Sequence, residues 1–446
     1  MGYGNPETDV LLSRGDRARN MKAVFLTAGA AGMYCGSCMR DNTLVAALRA
    51  RGRDAMLVPL YTPIRTDETD VSEPRVFYGA INVYLQQKLS LFRHTPRRVD
   101  RLFDHPSILR NAARLASGAA ADDLGAMTVS VLRGEHGAQR KELARLLEWL
   151  GEVRPTVVSL PNAFFVGIAG PIRQAIRCPV ICTLTGEDVF LDALPEPHRS
   201  DVLSLIRAHA SDVDGFVAVS DYYASYARER FALPTDRVHV VRLGIDTAAI
   251  PRREEPPDGP FTIGYLARIC PEKGLHVLAD AFIVLRTSGR SCRLRVAGWL
   301  GASSRRYLDE VRTRISRAGF GGDFEYVGEV NRTRKAAFLQ SVHVLSVPTV
   351  YREAKGLYVL EAMAHGVPVA QPRHGSFPEL IETTGGGLLF DPGATGELAE
   401  RLARLMEDAP LRRRLGEQGA ARVREHFTAE RMAEQTWQVF HRYCRY

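Results

Sequence analysis

Short apolar runs that alternate with helical stretches constrain this chain more than any other feature. MKAVFLT (21–27) opens the series, followed by DAMLVPLY (54–61), TVVSLP (156–161), CPVICTLT (178–185), GFVAVS (215–220) and VHVVRLG (238–244). PRREEPPDGP (251–260), rich in proline and charge, then interrupts the pattern as a linker. A second series follows it: FTIGYLA (261–267), RLRVAGW (293–299), FEYVGEV (324–330), HVLSVPT (343–349), PVAQP (368–372) and GLLF (387–390). Runs this apolar, separated by helices, predict parallel strands buried on both faces, hence two doubly wound α/β sheets. Residues 80–150 are helical in pattern and read as an insertion within the first domain.

The domain expectation is therefore 1–20 a disordered leader, 21–250 a first domain, 251–260 the linker, 261–424 a second domain, and 425–446 a terminal helix. At 446 residues the chain is too long for one ordinary core. Apolar content of 45% and charged content of 25% are those of a globular protein. No apolar stretch approaches the ~20 residues needed to span a bilayer. The first residues lack the apolar core of a signal peptide. A cytoplasmic protein is expected, with peripheral contact at the inner face of the membrane as the alternative. The densest basic cluster, Lys88, Arg93, Arg97, Arg98 and Arg101, would carry that contact. The net charge of +8 does not imply nucleic acid, because basic residues are dispersed and no recognition module is visible. Of the 59 Lys and Arg, only Lys22, Lys88, Lys141, Lys273, Lys335 and Lys355 are lysine.

Chemistry concentrates in EAKGLYVLEAMAHGVPV (353–369). Gly356 to Ala364 reads as a short helix that Gly366 stops and Pro368 forbids from continuing. Its start would expose backbone N–H groups at Lys355, Gly356 and Leu357, a cradle for phosphate. Glu353 and Glu361 flank it as acceptors for hydroxyl groups. In GYLARICPEKGL (264–275), Arg268 ends a strand, and Lys273 with Gly274 opens a helix. Two cations there would neutralise a diphosphate.

Together these segments resemble the E-x7-E and R-x4-K elements of the retaining glycosyltransferases of family 4 (group 1). The resemblance implies the GT-B architecture, two Rossmann-like domains facing across a cleft, and transfer of a sugar from a nucleoside diphosphate to an acceptor hydroxyl with retention. It implies Arg268 and Lys273 on the diphosphate, Glu353 on the donor sugar and Glu361 on the ribose. Gly328, Glu329 and Val330 would hold the nucleobase through backbone groups, and the last helix would pack back on the first domain. FPELI (377–381) also fits, although His374-Gly375 stands where the family usually has a glycine pair. The partners implied are a nucleotide-sugar donor and a saccharide, lipid-linked or small-molecule acceptor, with no further cofactor. Two other readings accompany it: a nucleotide-sugar-binding protein without transferase activity, and an epimerase or phosphorylase of the same fold.

The acceptor side is less legible. TAGAAGMYCGSCMRDN (27–42) puts Gly32 and Cys35 in a loop after the first strand. Cys35 and Cys38 form a C-x-x-C at a helix start, where thiol pKa values fall, which admits a redox role or half a zinc site. Glu187 and Asp188 are acceptor-side candidates where many relatives carry a histidine. Ser220 and Asp221 are expected to cap a helix. Asp212-Val213-Asp214 has the form of a metal-binding D-x-D but sits in a turn, so no metal is expected.

Overall fold

The computed structural model describes residues 21–29, 34–88, 92, 121–248, 250, 251, 253 and 257–444. The leader, Gly32, linker residues 252 and 254–256, and all of the basic cluster except Lys88 lie outside the described residues. Every apolar run named above contains a strand: β1 (Lys22–Thr27), β2 (Asp54–Pro59), β3 (Val157–Leu160), β4 (Val180–Leu184), β5 (Gly215–Ala218), β6 (Val238–Val240), β7 (Phe261–Leu266), β8 (Cys292–Ala297), β9 (Phe324–Gly328), β10 (Val344–Leu345), β11 (Val369–Pro372) and β12 (Gly387–Phe390).

The strands form two six-stranded parallel sheets, ordered β2-β1-β3-β4-β5-β6 and β12-β11-β10-β7-β8-β9. The chain divides into two compact units. One runs to Val219 and takes in Tyr223–Arg242 and the residues from Glu430 onward; the other comprises Ser220–Tyr222 and Leu243–Ala429. In the first unit, helices occupy Ala80–Lys88, Ala121–Leu132 and Arg140–Val153, within the expected helical region. The terminal helix Ala429–Tyr443 packs on this unit: Phe440 stacks on Phe25 of β1 with ring centroids 5.4 Å apart. His239 Nε2 and Tyr443 OH lie 2.7 Å apart.

The second sheet has a single reversal of strand order. From β7 the chain builds outward through β8 and β9, then returns to the other side of β7 as β10, β11 and β12. The loops after β7 and β10 therefore diverge at the carboxyl edge and leave a crevice, the position at which open α/β sheets bind ligands. Tight backbone approaches shape this edge. Gly274 has φ +72°, and a Cβ there would lie 1.8 Å from the Pro348 carbonyl oxygen, so only glycine fits. Gly298, φ +149°, presses in the same way on the Ala267 carbonyl oxygen.

Candidate functional site

The residues expected to meet a donor collect in the second unit, around this reversal. After β7, Pro271–Lys273 forms a 3₁₀ turn, Gly274 caps it, and the helix begins at Leu275. Lys273 thus lies on the turn before the helix, not on the helix itself. After β10, residues 346–356 run to Gly356, whose φ of +68° turns the chain into the helix Leu357–Ala364. Its end is as expected, with Gly366 at φ +74° followed by Pro368.

The centre of the site is a buried ionic knot. Lys273 Nζ lies 2.5 Å from Glu353 Oε2 and donates to Tyr351 OH at 2.6 Å. Tyr351 OH in turn donates to Glu353 Oε2 at 2.8 Å, and Tyr358 OH reaches the same oxygen at 3.3 Å. The ammonium also sits 5.0 and 5.1 Å from the ring centroids of Tyr351 and Tyr358, within cation–π range. Glu353 is 3% exposed. Burial alone would raise its pKa; the Lys273 charge and hydrogen bond, Lys355 and the Tyr351 hydroxyl outweigh burial and hold it at about 2. Glu353 is therefore a firmly ionised carboxylate already engaged by protein donors, rather than the open acceptor that its spacing suggests.

Glu361 is engaged as well. Lys335 Nζ lies 2.5 Å from its Oε1, with both side chains largely buried. The N–H of Lys355 turns back to Glu353 Oε1 at 3.2 Å. The first helical N–H groups to find a partner within the helix, those of Val359 and Leu360, share the Gly356 carbonyl. The donors of Leu357 and Tyr358 precede them, as helix starts require. Arg268 is exposed at the end of β7 and has no carboxylate partner among the described residues.

The loop after β11 completes this edge. Gly375, φ +59°, lies against the backbone of Glu353, and Ser376 N–H donates to the Glu353 carbonyl at 2.7 Å. His374 Nε2 contacts the Thr349 carbonyl at 3.0 Å. A carbonyl only accepts, so Nε2 carries the proton, and the buried Nδ1 is left as an acceptor with no partner among the described residues. Burial lowers the His374 pKa, which favours this neutral form. Gly328, φ +84°, gives its carbonyl to Gly298 N–H at 3.0 Å, and Val330 is buried. Glu379 Oε2 accepts from Asp221 N–H at 2.9 Å, while the Ser220 hydroxyl donates to the Ala354 carbonyl at 2.9 Å. Ser220 thus ties the start of the helix Asp221–Phe231 to the loop that carries Ala354.

In the first unit, several expectations change. Glu187 is a strut: its carboxylate accepts from the N–H groups of Thr185 (3.1 and 3.2 Å) and Gly186 (3.1 Å), and from Tyr223 OH at 2.5 Å. That leaves it little capacity for an acceptor. Asp188 is buried as the first residue of the short helix Asp188–Asp192. Cys35 precedes the helix Gly36–Ala50 without capping it through its side chain, and the cysteines are unbridged. Cys38 contradicts the expected low thiol pKa. A hydrogen bond with Cys35, then burial and nearby negative charge, push it well up, so it is no poised thiolate. The D-x-D is spent locally: Asp214 Oδ2 accepts from Val180 N–H at 2.8 Å, and Asp212 Oδ2 lies 3.0 Å from His209 Nδ1.

Sequence reasoning missed Tyr351, Tyr358 and Lys335. The rarity of lysine was the available signal, since three of the six sit at or beside this site.

Two doubly wound sheets, the second carrying two lysine-held carboxylates and a helix start at its strand reversal, define an α/β protein with a charged, polar edge there. Comparison with known proteins agrees. Residues 246–422 match the family "Glycosyl transferases group 1" and residues 129–249 match "Glycosyltransferase Family 4". The chain is 31% identical over 196 residues to a putative colanic acid biosynthesis glycosyltransferase of Escherichia coli, covering 43% of this chain and 47% of that protein. It is 29% identical over 232 residues to an MMP α-(1→4)-mannosyltransferase of Mycolicibacterium hassiacum, covering 52% and 54%. The chain thus spans about half the length of these relatives. Sucrose-phosphate synthase from Thermosynechococcus elongatus shares the fold with a TM-score of 0.68 at 18% identity, covering 94% and 98% of the two chains. The Anabaena protein HepE, solved in complex with UDP, gives 0.66 at 17% identity, covering 95% and 100%. The chain belongs to the group 1 glycosyltransferases and has the GT-B fold.

Proposed function

We propose that the protein transfers a sugar from a nucleoside diphosphate to an acceptor hydroxyl with retention of configuration. The observation that carries this is the Lys273–Tyr351–Glu353 knot, set against the Gly356 helix start at the strand reversal of the second sheet. In this reading the diphosphate lies over the N–H groups of Leu357 and Tyr358, with Arg268 and Lys273 meeting its charge. Glu353, kept ionised, orients Lys273 toward the diphosphate beside the donor sugar. Glu361, held in place by Lys335, faces the ribose diol.

The chemistry then asks little covalent work of the protein. The acceptor oxygen bonds to the anomeric carbon on the face from which the diphosphate leaves. The bond from that carbon to the phosphate oxygen breaks, and the acceptor proton passes to a phosphate oxygen. The protein's part is to hold both reactants and to stabilise the departing charge with donors fixed beforehand. Protein cations and helix N–H groups take this role in the proposal, so transfer persists when divalent ions are chelated.

Thermal-shift titration with UDP, GDP, ADP and their sugars tests the reading, because a ligand bound only by the folded state stabilises by mass action. The UDP complex of HepE makes UDP the first choice. Binding of one nucleotide, with loss of binding and turnover in Glu361→Ala, is the expected result. An unaltered Glu361→Ala variant refutes the assignment, and loss of turnover on chelation refutes the metal-independent part.

A further inference from the structure

In the first unit, the helix Gly36–Ala50 follows the loop at the carboxyl end of β1. Its first half buries side chains that an ordinary core excludes: Arg40 is 2% exposed, Asp41 5% and Asn42 0%. Asn42 is fully employed, donating to the Thr69 carbonyl at 3.0 Å and accepting from Val71 N–H at 3.0 Å. Thr43 is likewise employed, donating to Glu68 Oε2 at 2.8 Å. Arg40 is not. Its Nη1 donates to Asp41 Oδ1 at 2.8 Å, but Nε and Nη2 are buried without a hydrogen-bond partner among the described residues.

The two unpaired atoms are not a random pair. In a planar guanidinium, Nε and Nη2 lie on one edge, and their N–H bonds point the same way, matched to two oxygens of a carboxylate or phosphate. Asp41 occupies the far side of the group and leaves that edge intact. Burying charged donors without an acceptor is costly, so a fold that retains this arrangement needs something to fill it. The place is apt: β1 adjoins β2 and β3, the two strands between which the order of the first sheet reverses.

We propose that the Nε–Nη2 edge of Arg40 is an anion-recognition element that grips a carboxylate or phosphate group. It rests on the proposed transfer reaction only in assigning that anion to the acceptor; the anion binding stands apart from it. The substrate class that follows is an acceptor with an acidic group, in place of a wholly neutral saccharide. Asp41 is then a positioning residue, which fixes the guanidinium plane through Nη1.

The test follows the Nε–H resonance of Arg40 in the full chain, labelled with ¹⁵N-arginine and assigned through its own side-chain carbons. Inorganic phosphate, sulfate and acetate are titrated in turn, with chloride as the control. The expected result is a saturable shift with at least one of the three oxyanions, and none with chloride. Preference for phosphate or for acetate distinguishes the two sources of the anion. By calorimetry, Arg40→Lys, which keeps the charge but not the fork, weakens that anion about tenfold or more while nucleotide binding is unchanged. Because phosphate can also settle at the donor helix, the resonance and not total binding decides. No saturable shift, or equal affinity in Arg40→Lys, overturns the proposal and leaves the edge to bound water. Should Arg40→Lys fail to fold, the wild-type titration still decides. A shift at Arg40 in a protein that binds no nucleotide would sink the transfer reading alone.

Discussion

Replacing Lys273 by methionine removes the cation that Glu353 depends on while keeping a side chain of similar length. Glu353 is 3% exposed and titrates at about 2, against an ordinary carboxyl near 4.5. Because the folded value lies below the unfolded one, the pair contributes stability that is present above pH ~4.5 and lost as pH falls toward ~2. A difference of about 2.5 pKa units corresponds to about 3 kcal/mol. That agrees with the ~3–5 kcal/mol expected when one partner of a buried pair is removed. For a unit of this size, about 3 kcal/mol lowers Tm by about 6 to 12 °C. Scanning calorimetry at pH 7 on Lys273→Met, Glu353→Gln and the double variant supplies the cycle. The double variant should recover most of the stability lost in Lys273→Met, since it leaves no uncompensated buried charge. It should not recover turnover, because Lys273 is also the proposed diphosphate ligand. Additive effects, with a coupling below about 0.5 kcal/mol, would refute the buried-pair argument.

Gly274→Ala meets both a left-handed φ and the Pro348 carbonyl, so it should cost about 2 kcal/mol or more and weaken nucleotide binding, as measured by denaturation and thermal shift. Glu187→Ala leaves the buried donors of Thr185, Gly186 and Tyr223 unpaired and should destabilise by about 3 kcal/mol, whereas Glu187→Gln, which keeps one acceptor, should cost clearly less in urea titration. Burial first, then the neighbouring Asp221 charge, push Glu379 up to about 7. The folded protein then binds the extra proton between pH ~4.5 and ~7, so this group makes stability fall as pH rises through that window. Glu379→Gln should flatten that slope in denaturation curves taken across the range.

The sequence by itself determined the strands, their division into two series, and the short helix that ends at Ala364. These follow from interactions that act over a few residues. Strands buried on both faces are continuous apolar runs, and Gly356, Gly366 and Pro368 fix where a helix turns in and stops. The family, too, was legible, because its elements are contiguous. Tertiary structure alone decided what the charged residues do. Lys273 finds Glu353 across 80 positions, Lys335 finds Glu361 across 26, and Tyr223 finds Glu187 across 36. Each pairing depends on which strands adjoin, and no local pattern encodes that. Cys38 shows the same limit from the other side: a helix start lowers a thiol pKa only where solvent and charge allow it, and here the hydrogen bond with Cys35 and then burial reverse the sign. A spacing of carboxylates can announce a site, but whether each carboxylate is open or already held is settled by the dielectric and the partners that folding brings to it.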